Sequence, residues 1–141
     1  MPEFKVHNLW PIPVYDSKIP VKQKWKDFVI NLEYDRTHIN NSDISKDRYI
    51  LNNMPELKAK IEKHCEHYVR KYLTIKSNAQ FYLLNSWSNI HCPGEYSQIH
   101  CHANSIISGV YYPIFPKKSG GLYLHKSWNY KNLIDQNIML D

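Results

Sequence analysis

The densest run of side chains able to do chemistry is His91-Cys92-Pro93-Gly94-Glu95-Tyr96-Ser97-Gln98-Ile99-His100-Cys101-His102. On a strand, residues two apart point to the same side, so His100 and His102 would present two imidazoles together while Cys101 faces the other way. That is half of a metal site. Imidazole suits iron, zinc, copper and nickel alike, so the pair does not choose the metal. A structural zinc site drawn from His91, Cys92, His100, Cys101 and His102 is a rival use of the same residues. Alternating faces and the lack of paired CxxC spacing speak against it. An HxH pair can also be a plain hydrogen-bonded surface pair. Nothing supports nucleophilic hydrolysis, since no Gly-x-Ser-x-Gly elbow is present, and no glycine-rich phosphate loop occurs.

Elements must hold such a pair rigidly, and the chain divides into two kinds of pattern. Leu9 to Tyr15 is interrupted by Pro11 and Pro13 and reads as an edge strand or extended entry. After Pro20, the spacing of Val21, Trp25, Phe28, Val29 and Leu32 predicts one apolar helix face. Asp35 to Asp47 is polar, has neither period and reads as a loop. A second helix is predicted from Asn53 as cap and Pro55 in the first turn, with Leu57, Ile61, Cys65, Tyr68 and Tyr72 carrying the period to about Leu73. From Ala79 the pattern turns to short extended runs: strands over Phe81 to Ile90, Tyr96 to His102, Ser105 to Phe115 and Leu122 to His125, with turns at Pro93-Gly94 and Ser119-Gly120-Gly121. Helices followed by antiparallel strands predict an α+β domain.

Composition sets the outer bounds. With 141 residues the chain suits one domain, and 43% apolar with 22% charged residues is ordinary for a soluble globular protein. No apolar run approaches the ~20 residues a bilayer requires. The N-terminus shows no secretory pattern, and three cysteines make no disulfide framework, which together predict a cytoplasmic protein. The net charge of +5, from 18 Lys and Arg against 13 Asp and Glu, is scattered over the chain. It reads as a solvated basic surface rather than a nucleic-acid patch.

Ser86-Trp87-Ser88-Asn89, Gly94-Glu95-Tyr96, His100-Cys101-His102-Ala103-Asn104-Ser105, Ser108-Gly109-Val110-Tyr111-Tyr112 and Ser119-Gly120-Gly121-Leu122 together form a signature. It resembles the 2-oxoglutarate/Fe(II)-dependent oxygenases of cyanophages and marine bacteria, relatives of the prolyl hydroxylases. Coverage runs from about Trp10 to Asn132 and is strongest between Phe81 and Leu124. The resemblance implies a double-stranded β-helix, a jelly-roll or cupin-like barrel, in which residues 79–141 form the first part of the barrel and residues 1–75 a helical support. It implies Fe(II) and 2-oxoglutarate as cofactors, ascorbate as reductant, and hydroxylation of a protein or small-molecule substrate. A virus-encoded protein acting in host cytoplasm is also implied.

Carried over by residue, His100 matches the family's first histidine ligand, and His102 stands where the wider superfamily has aspartate, a form common in the phage-type branch. Tyr112 matches a tyrosine that binds the far carboxylate of 2-oxoglutarate. Ser108 and Val110 share its strand face, and Tyr123 would be a further wall. Trp87 and Asn89 read as packing and turn support. The family's distal histidine and its carboxylate-binding arginine have no counterpart, since His125 is the only histidine after His102 and no arginine follows Arg70. A shortened chain, a decayed gene and His125 as substitute third ligand remain open. A shortened barrel predicts exposed edges and a homodimer, and makes a non-catalytic β-helix binding module the alternative to an active oxygenase.

Overall fold

The computed structural model describes residues 13–37, 41–76, 78–102 and 105–124. Its elements run α1 (Gln23–Ile30), β1 (Tyr34–Thr37), β2 (Ser42–Ser45), a 3₁₀ turn (Ile50–Asn53), α2 (Pro55–Lys71) and β3 (Asn89–Ile90). Helices and one small antiparallel sheet in order β1-β2-β3 make a mixed α+β arrangement. No β-helix is assembled among the described residues. No helix among them is long and apolar enough to cross a membrane.

Both predicted helices form. Helix α1 buries Trp25 and Val29, one turn apart on one face, and ends where Asn31 turns its backbone N–H and side-chain amide back to the Asp27 carbonyl at 3.2 and 2.7 Å. Helix α2 starts with Pro55, places Glu56 in its first turn and Arg70 and Lys71 in its last, the charge order its dipole favours. Its cap is Met54, not Asn53, with no side-chain cap bond. The Asn53 amide instead donates to Asp47 Oδ2 at 3.3 Å. Leu57 and Val69 are its buried residues, while Tyr72 lies beyond the helix end and is exposed.

The core consists of Trp25, Val29, Ile50, Leu51, Met54 and Leu57, with Ile19, Phe28, Leu32, Ile61, Leu83 and Tyr111 packed against it. These residues come from α1, the 3₁₀ turn, α2 and two later segments, so the core ties the helical half to the C-terminal half.

The predicted loop from Asp35 to Asp47 is mostly a hairpin, with Tyr34 opposite Ser45 and Thr37 opposite Ser42. Hydropathy misses it because the positions buried on β2 are Ser42 and Ser45, both fully covered, and they are three apart rather than two. Polar contacts replace apolar alternation. Ser45 Oγ donates to the Asp47 carbonyl at 2.8 Å and accepts the Ser88 N–H at 3.0 Å, and Arg36 crosses to Asp43 at 3.3 Å.

The predicted strands after Ala79 are largely not strands. Of Phe81 to Ile90 only Asn89 and Ile90 pair, against Ile44 and Asp43 of β2, while Ser86 forms a single parallel bridge to Tyr49. Described residues of Tyr96 to His102, Ser105 to Phe115 and Leu122 to Leu124 join no sheet. A strand requires a neighbour to satisfy its backbone groups, and these segments meet none among the described residues.

Candidate metal centre

The segment carrying the histidines leaves β3 and enters the Pro93-Gly94 turn. Gly94 sits at φ 86°, as the third residue of a type II turn requires, and the Glu95 N–H closes onto the Cys92 carbonyl at 3.0 Å. The Glu95 side chain reaches back to accept the Cys92 N–H at 2.7 Å and meets Arg36 Nη1 at 2.6 Å. Its carboxyl is held below the usual carboxylate range by the Cys92 N–H first and by the Arg36 guanidinium second. Farther along, His91 Nε2 and Ser97 Oγ lie 3.0 Å apart.

His100 and His102 lie side by side, although the strand expected to align them does not form. Their ring centroids are 5.0 Å apart and the planes nearly perpendicular at 84°. His100 Nδ1 lies 2.7 Å from the Gln98 carbonyl, to which it donates, so Nε2 is the ring nitrogen left to face a metal. His100 is exposed and His102 half-buried. Burial, and secondarily the neighbouring His100, lower the pKa of His102 and favour its neutral, ligating form.

Trp87, read from the sequence as a packing residue, lies beside the pair. Its ring lies 5.3 Å from that of His102, tilted by 54°, so it walls the half-buried imidazole. Position gave no hint of this, because the contact joins segments on either side of the Pro93-Gly94 turn.

The expected cosubstrate residues do not close a pocket. From Ser105 to Pro113, the residues at 105, 107, 111 and 113 are half-buried while Ile106, Ser108, Val110 and Tyr112 are exposed. Ser108, Val110 and Tyr112, expected to line a pocket, are exposed, as is Gly109 between them. Tyr112 packs edge-on against Phe115 at 5.2 Å, and Tyr123 is 88% exposed. His125 lies outside the described residues.

Two imidazoles with ring centroids 5.0 Å apart, one of them oriented by a backbone carbonyl, fit two nitrogen positions of a metal site. Among the described residues no group of three His, Cys, Asp or Glu side chains converges to hold a metal ion. His91, Cys92, His100, Cys101 and His102, the residues of the zinc alternative, form no such group either. Cys92 and Cys101 are free and exposed.

Residues 85–139 match the family described as "Putative 2OG-Fe(II) oxygenase". The matched stretch contains Trp87, the histidine pair, Ser108, Tyr112, Tyr123 and His125 and begins after both helices. No curated protein and no solved structure matches the chain.

Proposed function

We propose that this chain is an Fe(II)- and 2-oxoglutarate-dependent dioxygenase of the hydroxylating kind, with His100 and His102 as two iron ligands. The observation that carries the reading is the pair of imidazoles 5.0 Å apart within a stretch that matches the oxygenase family. Bound iron would supply oxidation of a substrate C–H bond to C–OH by O2, coupled to conversion of 2-oxoglutarate to succinate and CO2.

The chain's own residues bind, orient and shield. The Gln98 carbonyl fixes the His100 tautomer, and Trp87 covers one side of His102. Tyr112 and Ser108, both exposed, offer hydroxyl donors to the carboxylates of 2-oxoglutarate, and Tyr123 adds a further phenol from the next segment. His125, inside the matched stretch, is a candidate third ligand, which would make a three-histidine set with His102 in the carboxylate's place.

The test is succinate production from 2-oxoglutarate by the purified chain with Fe(II), ascorbate and O2. Turnover that falls by about 100-fold or more in His100→Ala and His102→Ala supports the assignment. The absence of a third ligand among the described residues favours one second reading, a binding module that takes up 2-oxoglutarate without consuming it. Binding without succinate would select it.

A further inference from the structure

Arg36 stands on β1, in the segment whose polar sequence reads as a loop, yet it touches the chain 59 positions later, at Glu95 ahead of the histidine pair. One terminal nitrogen, Nη1, meets Glu95 Oε1 at 2.6 Å and Asp43 Oδ1 at 3.3 Å, while Nη2 donates to Asn41 Oδ1 at 2.8 Å. A planar guanidinium can serve three acceptors in fixed directions, which an ammonium on a flexible stem does not. Glu95 is occupied on both oxygens, Oε1 by Arg36 and Oε2 by the Cys92 N–H, and its side chain is only 15% exposed. This is not a loose surface pair: both partners have further anchors, and the acidic one is largely covered.

The pairing pins a segment that no ladder holds, at the end opposite the Trp87 contact with His102. The β2 to β3 ladder ends at Ile90, opposite Asp43, and the described residues beyond it up to His102 join no sheet. From Ile90 the chain turns at Pro93-Gly94, closes through Glu95 onto β1, and then runs five residues to His100. The ladder holds the turn at one end and the Arg36–Glu95 contact at the other. The hairpin itself is braced on the side of β3, through Tyr34 Oη to Ser88 Oγ at 2.9 Å and the Ser45–Ser88 bonds.

We propose that Arg36 and Glu95 are positioning residues for the metal-binding pair: their contact sets the departure of the segment that brings His100 and His102 together. The inference rests on the reading of those histidines as metal ligands. Partners outside the ligand set commonly change metal affinity by about 10- to 100-fold when removed, because they fix ligands that would otherwise have to be ordered by the metal.

The experiment titrates Co(II), as a spectroscopic probe, into the full chain under anaerobic conditions. It compares the unmodified protein with Arg36→Ala, Glu95→Gln, the double variant and Lys46→Ala. Gln keeps an acceptor for the Cys92 N–H but gives up the charge that binds Arg36. Lys46 pairs with Glu33 at 3.1 Å and, through the same hairpin, serves as a control that does not touch the histidine segment. The expected result is about tenfold weaker Co(II) binding in each single variant, no further loss in the double variant, and no change in Lys46→Ala. Non-additivity marks the two residues as one device. Should Arg36→Ala fail to fold, Glu95→Gln carries the comparison. An unmodified chain that takes up Co(II) while Glu95→Gln binds it equally well overturns the positioning role alone. An unmodified chain that takes up no Co(II) overturns the histidine reading and this inference with it.

Discussion

Tyr111 meets Trp25 edge to face, with ring centroids 6.4 Å apart and planes at 76°, and its hydroxyl lies 3.4 Å from the Ile19 carbonyl. Trp25 is nearly fully buried on α1. This contact docks the segment from Ser105 to Pro113 on the helical core and determines which of its two faces stays open.

Adjacent tyrosines should therefore behave differently. Tyr111→Ala removes a half-buried ring from the core edge and is expected to cost about 2 kcal/mol of stability, measured by urea denaturation. Tyr112→Ala, on the open face, should change stability by no more than about 0.5 kcal/mol while weakening 2-oxoglutarate binding in calorimetry. Equal destabilisation by both would contradict the assignment of faces.

The buried serines of β2 make a second contrast. Ser42 Oγ is fully buried without a hydrogen-bond partner among the described residues, so Ser42→Ala should leave the melting temperature unchanged or raise it. Ser45 Oγ makes two bonds that secure the hairpin to Ser88 and Asp47, and Ser45→Ala should cost about 1–2 kcal/mol. Thermal melts of both variants read the difference directly.

The junction of the two helices should be acid-sensitive. Glu56, at the start of α2, pairs with Lys22 and with Lys24 at 2.9 Å. Hydrogen bonds from these two lysines, Lys22 first, hold its carboxyl at about 2 against an ordinary 4.5. Because the folded value is the lower one, the unfolded chain binds the proton more readily. The contribution to stability is complete above pH 4.5 and disappears as the pH falls toward 2. Glu56→Gln should lower the melting temperature at pH 7, have no effect near pH 2, and have less effect as salt is raised, since these side chains are exposed.

What the sequence disclosed follows from which forces leave a pattern in it. Trp25 and Val29 on α1 and Leu57 on α2 repeat at helical spacing, and Pro55 marks the start of α2, so both helices were legible. The Pro93-Gly94 turn was legible too, because only glycine is at ease at φ 86°. The β1–β2 hairpin was not, because serines rather than apolar side chains occupy its buried positions. Strand composition after Ala79 overstated the sheet: burial from Ser105 to Pro113 alternates only in part, with Ser108, Gly109 and Val110 all exposed, and alternation does not supply a neighbouring strand. Local spacing singled out His100 and His102, whose rings lie 5.0 Å apart. Trp87 beside His102 and Arg36 beside Glu95 depend on long-range contacts that no spacing encodes.

The central claim is that His100 and His102 hold iron together with 2-oxoglutarate. The most direct measurement is anaerobic titration of the purified chain with Fe(II) in the presence of 2-oxoglutarate, following the visible metal-to-ligand charge-transfer band, with a His100→Ala/His102→Ala variant alongside. The account predicts a band that appears with 2-oxoglutarate, is absent without it, and is lost in the variant. No band in the unmodified chain, or an equal band in the variant, would contradict it.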